Sequence, residues 1–271
     1  MNRILLTGGF GYIGTHIATL LSDQDNQFVI YDNFSNCKKS VIERLNKITG
    51  KKINFVLGDI RDKTKLVETI KENNIFSVIH LAALKSVEES IFNPIEYYEV
   101  NVNGTINLLK AMQLTNVKRL LFSSSATIYG EPKYLPINES HPLNAINPYG
   151  ESKLIIENIF KDLVMTNEDW SITSLRYFNP IGAHRSGLIG DDPLGTKAQN
   201  IIPSIIKVCK GFSDYFEIYG DDYNTYDGSG VRDYIHIMDL ASAHISALNH
   251  LITRRGLNIF NIGTGNGISV K

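Results

Sequence analysis

Two cysteines in 271 residues and a formal charge of −1 remove several kinds of protein at once. Cys37 and Cys209 have none of the close spacing of a metal site or redox motif, and two thiols do not make the disulfide framework of a small secreted protein. They read as incidental thiols in a reducing compartment. With 27 Lys and Arg against 28 Asp and Glu, no electrostatic argument favours nucleic acid or a membrane surface as the main partner. No apolar stretch approaches the length that crosses a bilayer, and Met1 leads within a few residues into a strand with no charged-then-apolar leader. A soluble, cytoplasmic chain is the expectation. Internal repeats, low-complexity tracts and long linkers are missing too. His80, His184 and His236 lack metal-ligand spacing and read as packing or hydrogen-bonding residues, so no metal is expected.

What is there begins with Tyr149 and Lys153, in the run Asn147-Pro148-Tyr149-Gly150-Glu151-Ser152-Lys153. Pro148 opens a helix, and four-residue spacing puts the phenol and the ammonium on one face of it. A nearby lysine charge lowers a phenol's pKa from about 10, so the pair is a candidate for moving protons near neutral pH. Any helix can carry such a pair by chance; two distant segments give it a context. The first is the chain start, where a short buried strand, Arg3 to Thr7, runs into Gly8-Gly9-Phe10-Gly11-Tyr12-Ile13-Gly14. Gly8 suits a tight turn, Gly11 lets backbone approach a pyrophosphate, and Gly14 lets the next helix pack close to the sheet. That helix then turns its N-terminus toward phosphate. A second strand, Gln27 to Tyr31, ends in Asp32, spaced from the glycines to accept hydrogen bonds from ribose hydroxyls and to repel a 2′-phosphate, which favours NAD over NADP. The second segment is an apolar strand, Leu120 to Phe122, opening into Ser123, Ser124 and Ser125 at the end of a parallel sheet where ligands sit.

Apolar runs at Ile53 to Leu57, Ser77 to Leu81, Arg119 to Phe122 and Ile172 to Leu175 alternate with helical patterns, which builds an α/β fold with a doubly wound parallel sheet. One long helix is expected from Pro94 through Leu114, and another from Pro148. From Asn179 regular periodicity stops and glycines cluster, as in a substrate-binding excursion from the sheet. A short helix at Ile201 to Lys210, a strand at Phe216 to Tyr219, a strand from Val231, a helix from Asp239 to Leu251 and a last strand near Ile259 to Asn261 complete the reading. It gives a Rossmann-type domain over residues 1–178, with a return segment at 232–262, and a smaller domain over 179–231 and 263–271.

These pieces resemble the extended short-chain dehydrogenase/reductase family, and within it the UDP-galactose 4-epimerase branch. The resemblance runs along essentially the whole chain. The glycine turn and the Tyr/Lys pair are shared widely; Arg176-Tyr177-Phe178-Asn179-Pro180-Ile181-Gly182-Ala183-His184 and Gly230-Val231-Arg232-Asp233-Tyr234-Ile235-His236 are far more specific. The resemblance implies NAD as cofactor, and interconversion of UDP-galactose and UDP-glucose through a 4-keto sugar. Tyr149 then exchanges a proton with the sugar 4-hydroxyl, Lys153 holds the nicotinamide ribose, and Ser125 is the catalytic hydroxyl. Beside the glycines, it implies NAD contacts at Tyr12, Ile13, Asp32, Asn33, Asn36, Asp59, Ile60, Leu81, Ala82, Lys85 and Phe178, together with the catalytic three. Contacts to the nucleotide sugar fall on Lys85, Ser125, Thr127, Tyr149, Asn179, Asn200, Ile201, Tyr219 and Arg232. A homodimer through the helices from Pro94 and Pro148 is implied as well.

The chain departs from the family pattern at Glu151, usually Lys, at Arg185, and over Gly195 to Asn200. Members of the family run on by several helices and strands beyond the position of Lys271, so a partial chain with an incomplete smaller domain is the expectation; the residue that decides acceptance of N-acetylated sugars lies in that missing stretch. A nucleotide-sugar 4,6-dehydratase is disfavoured because Ala126-Thr127-Ile128 stands where that enzyme carries Asp-Glu after the threonine. A UDP-glucuronate decarboxylase lacks the Arg-Tyr-Phe-Asn-Pro-x-Gly-Ala-His form, and a non-catalytic NAD-binding regulator often loses the Tyr or the Lys.

Overall fold

The structure is a computed structural model that describes residues 3–192 and 200–271; the departure at Gly195 to Gln199 lies outside them. Among the described residues seven strands form one parallel sheet: β1 (Arg3–Thr7), β2 (Phe28–Asp32), β3 (Phe55–Leu57), β4 (Ile75–His80), β5 (Arg119–Ser125), β6 (Ser171–Tyr177) and β9 (Gly256–Ile262), in the order β3-β2-β1-β4-β5-β6-β9. The order reverses between β1 and β4, which opens a crevice at the carboxyl ends of those strands. Helices cover both faces. On one lie α1 (Tyr12–Asp23), α2 (Val41–Thr49) and α9 (Ile237–Thr253); on the other lie α3 (Lys63–Glu72), α6 (Gly104–Leu114) and α7 (Pro148–Thr166).

Burial on both faces explains why the central strands read as apolar runs without alternation. Ile4 and Leu6 of β1 belong to one core cluster with Ile17 and Leu248, whereas Leu5 between them belongs to the other, with Leu108, Ile156 and Phe160. Phe122 of β5 meets Phe160 of α7 edge-on, with ring centroids 5.1 Å apart.

Element types agree with the sequence reading at most positions, and the differences have local causes. β5 runs on through all three serines, because β6 pairs with it as far as Ser125↔Tyr177. The helix expected from Pro94 to Leu114 follows Val87–Phe92 (α4) and is three pieces: α5 (Pro94–Tyr97), a π-helical stretch at Tyr98–Asn103, and α6. Such widened turns are common where a helix side chain is re-aimed, and here the buried Asn101 amide donates to the Leu84 carbonyl and accepts from the Leu84 N–H. No strand forms at Phe216 to Tyr219: Tyr219 is 80% exposed, and among the described residues no neighbour pairs with it. The excursion holds β7 (Asn179–Ile181) and α8 (Ile201–Cys209); β7, β8 (Val231–His236) and β10 (Gly267–Ser269) form a small sheet in the order β10-β8-β7. Thus β8, which falls within the return segment expected from residue 232, lies in this small sheet, and the chain re-enters the large one through α9 and β9.

Candidate active site

The glycine turn between β1 and α1 is shaped by close approach. Gly8 has φ +68°, and a Cβ there would stand 2.7 Å from the Ala82 nitrogen; at Gly14 a Cβ would stand 2.6 Å from Gly9 Cα. Any larger residue must push the turn away from β4 or α1 away from the turn. Gly11 caps α1 without a capping side chain, so the positive end of that helix meets the cleft bare. Asp32, at the carboxyl end of β2, accepts the Phe10 N–H at 3.0 Å and the Phe34 N–H at 2.8 Å. Burial pushes its pKa up while the two N–H donors hold it down. Farther along, the Arg61 guanidinium holds the Asp59 carboxyl at about 2, and Asn33 donates to the same carboxylate at 3.0 Å.

Across the crevice, α7 begins at Asn147, whose side chain accepts the Gly150 N–H at 2.8 Å, with Pro148 in the first turn. Tyr149 and Lys153 follow, 9% and 2% exposed. The Lys153 Nζ donates to the Ser123 carbonyl at 2.8 Å and stands 5.8 Å from the centre of the Tyr149 ring. The Tyr149 phenol has a nearer partner than the lysine. Burial raises the Tyr149 pKa, and the group that pulls it back is the Ser125 hydroxyl through a hydrogen bond. Burial also lowers Lys153 to about 7, against an opposing pull from Glu157. Ser125 is held in turn, its Oγ accepting from the Thr127 N–H at 3.2 Å and the Thr127 hydroxyl at 3.0 Å.

Both walls belong to one cleft of about 390 Å³. Every residue expected to contact the cofactor lines it: Gly8, Gly11, Tyr12, Ile13 and Gly14 from the first turn, Asp32, Asn33 and Asn36 after β2, and Asp59 and Ile60 after β3. Leu81, Ala82 and Lys85 follow from β4, and Ser125, Tyr149, Lys153 and Phe178 from the far wall. Of the residues expected to meet the sugar nucleotide, Thr127, Asn179 and Asn200 also line it. Ile201, Tyr219 and Arg232 do not: Ile201 opens α8, Tyr219 bonds its hydroxyl to Glu217 at 2.9 Å, and exposed Arg232 donates to the Val231 carbonyl at 2.8 Å. Sequence reasoning missed Tyr177, whose hydroxyl pairs with that of Ser123 on the cleft wall, and Tyr31, whose hydroxyl donates to the Asp59 carbonyl at 2.9 Å. The β5–β6 register held the signal for Tyr177, since it places that residue beside Ser125. Among the described residues no group of three or more His, Cys, Asp or Glu could hold a metal ion.

The sequence model described as the NAD dependent epimerase/dehydratase family matches residues 4–263. The chain belongs to that family. It is 51% identical to UDP-glucose 4-epimerase of Yersinia enterocolitica over 98% of this chain and 79% of that protein, and 45% identical to the Homo sapiens enzyme of the same name over 99% and 79%. Its fold superimposes with a TM-score of 0.95 on UDP-glucose 4-epimerase from Bifidobacterium longum in complex with NAD+ and UDP, at 47% identity, covering 99% of this chain and 80% of that one. The Stenotrophomonas maltophila enzyme with bound NAD and formylated UDP-arabinopyranose gives a TM-score of 0.96 at 46% identity, over 100% and 80%.

Because Ser125 is the group that pulls the Tyr149 phenol down, Ser125→Ala moves the phenol's titration to higher pH. Phenolate absorbance, read as the difference from Tyr149→Phe, measures it; an unmoved midpoint contradicts the hydrogen-bond account.

Proposed function

We propose that the protein interconverts UDP-glucose and UDP-galactose, using a nicotinamide dinucleotide held in the cleft. The observation that carries this is the meeting, in one cleft, of the bare glycine turn and a buried, hydrogen-bonded Tyr149–Ser125 pair. The residues present fit the cofactor, since Gly8 and Gly14 let the turn close tightly on Ala82 and Gly9, Gly11 leaves the N-terminus of α1 open to the cleft, and Asp32 stands ready at the end of β2. Gly8, Gly11 and the N-terminus of α1 take the pyrophosphate, Asp32 the adenosine ribose, Asp59 the adenine edge, and Lys153 the nicotinamide ribose. Bound there, the dinucleotide supplies hydride acceptance at sugar carbon 4 and hydride return.

The protein's part is proton transfer and alignment. Tyr149 takes the proton of the sugar 4-hydroxyl and gives it back, while the single hydroxyl proton of Ser125 steadies the phenolate before the transfer and the sugar 4-oxygen after it. Lys153 stays a cation only through specific partners, because burial drives it toward neutrality. Thr127, Asn179 and Asn200, lining the same cleft, bear on the sugar and diphosphate. A 4,6-dehydratase needs carboxylates at the end of β5, and the helical turn there reads Ala126-Thr127-Ile128.

Residues 1–178 with α9 and β9 form the cofactor domain in this reading, and the small sheet with α8 belongs to the substrate domain. We place the protein in the cytoplasm: Cys37 and Cys209 stand unpaired, and no helix among the described residues is long and apolar enough to cross a membrane. Cell fractionation reads this directly. The protein is a homodimer by the same reading, since Phe92 at the end of α4 and Ile95 in α5 are 75% and 83% exposed beside α7.

Three outcomes follow. Tyr149→Phe keeps the ring's packing and loses the proton carrier, so UDP-galactose turnover drops by roughly 10²–10⁴-fold with NAD binding retained; near-parental turnover ends the assignment. Asp32→Ala weakens NAD binding by about tenfold or more, the scale of a lost charged hydrogen bond, and changes NADP binding far less; equilibrium dialysis compares the two, and equal parental affinities contradict the role of Asp32. Phe92→Glu converts the dimer to monomer in sedimentation velocity, and an unshifted dimer places the interface elsewhere.

A further inference from the structure

Helix α7 carries Tyr149, Lys153 and Glu157 at four-residue intervals, so one face presents all three to the sheet, and all three are buried. Three consecutive serines at the end of β5 answer them in turn. The Ser125 hydroxyl bonds Tyr149, the Ser123 carbonyl accepts from Lys153 at 2.8 Å, and the Ser124 hydroxyl donates to Glu157 Oε1 at 2.6 Å. The first two contacts lie in the cleft; the third is sealed behind it. There the Glu157 carboxylate also accepts from Ser174 at 2.8 Å and from Arg176 Nη2 at 2.6 Å and Nε at 3.2 Å, and Arg176 Nη1 donates to the Tyr129 hydroxyl at 2.9 Å.

We propose that Glu157 is a positioning residue for the reaction: it locks the Ser123–Ser125 strand end onto α7 and sets, one turn behind Lys153, the negative charge that keeps the buried ammonium charged. The proposal rests on the epimerase reading for its link to turnover. Other groups facing this region do not supply that charge. On α7 the neighbour toward the cleft is Tyr149, whose pKa burial raises. From β4 comes His80, wholly buried and held neutral with a pKa of about 3. From β6 come Tyr177, whose phenol burial also raises, and Arg176, a cation. Among the described residues, Glu157 is the group that acts on Lys153 in the direction that favours the ammonium.

Glu157→Gln keeps the side chain's shape and removes its charge. In the cofactor-free protein, the Lys153 Nζ titration followed by NMR then moves down by about one pH unit, the scale of one nearby opposite charge. The alkaline limb of the turnover profile, where the ammonium loses its proton, moves down with it. Arg176 is left without its counter-ion, which lowers Tm, so Glu157→Gln with Arg176→Gln is the companion variant: it recovers stability and keeps the lowered midpoint. Glu157→Asp preserves the charge, and its midpoint stays near the parent's despite a lower Tm. An unmoved midpoint in Glu157→Gln, a return to the parental midpoint in the double variant, or an Asp variant that shifts as far as Gln overturns the proposal. If Tyr149→Phe retains turnover, the epimerase reading falls while the NMR midpoint still decides the role of Glu157.

Discussion

A charged pair shut away from water, Glu157 with Arg176, sits where α7 meets the sheet, and the geometry of the cleft depends on keeping it satisfied. Both side chains are at most 2% exposed. Burying two such ions costs several kcal/mol apiece, and only close contact with full hydrogen bonding offsets that. Here every partner is in place: Ser124 from β5, Ser174 and Arg176 from β6, and Tyr129 from the turn after β5. The arrangement also fixes the register of α7. A slip of one helical turn puts Lys153 or Lys161 where Glu157 belongs, an ammonium against a guanidinium in a dry interior. No such register survives, so Tyr149 arrives beside Ser125 and Lys153 beside the Ser123 carbonyl by the same constraint.

Burial is one cause with two opposite effects on the reacting pair. It disfavours charge wherever it acts, so it raises the phenol of Tyr149 and depresses the ammonium of Lys153. Four-residue spacing brings the ammonium within 5.8 Å of the phenol ring centre, where it also donates to the Ser123 carbonyl and lies 4.8 Å from the centre of the Phe122 ring. Each member of the pair is therefore opposed by its own partner, Ser125 for the phenol and Glu157 for the ammonium.

Much of this was legible in the sequence because it follows local rules. The glycine turn, Asp32 at the end of β2 and Pro148 before Tyr149 each rest on backbone conformation or on helix and strand ends, which neighbouring residues decide. What was not legible depends on distant contacts. Phe216 to Tyr219 has the composition of a strand and no partner among the described residues, and composition cannot report a missing partner. Arg232 has the right chemistry for a diphosphate, but its contacts depend on the pairing of β8 with β7 and β10, which its own neighbours in sequence do not show. The π-helical stretch at Tyr98–Asn103 has no sequence mark, because it arises from what Asn101 must reach.

That reach closes a chain of hydrogen bonds whose direction can be deduced. The Thr105 hydroxyl donates to the Asn101 carbonyl at 2.6 Å, so toward His80 Nε2, at 3.0 Å, its oxygen can only accept. His80 thus carries its proton on Nε2, and its Nδ1 accepts from the Thr7 hydroxyl at 2.7 Å. Burial holds the ring in this neutral form. The Asn101 amide then reaches Ser152 at 3.1 Å, and the Ser152 hydroxyl donates to the Tyr149 carbonyl at 2.7 Å. Neutral throughout and without a gap, the chain joins the end of β1 beside the glycine turn to the first turn of α7. The chain thus braces the two walls of the cleft against each other through the protein's own groups.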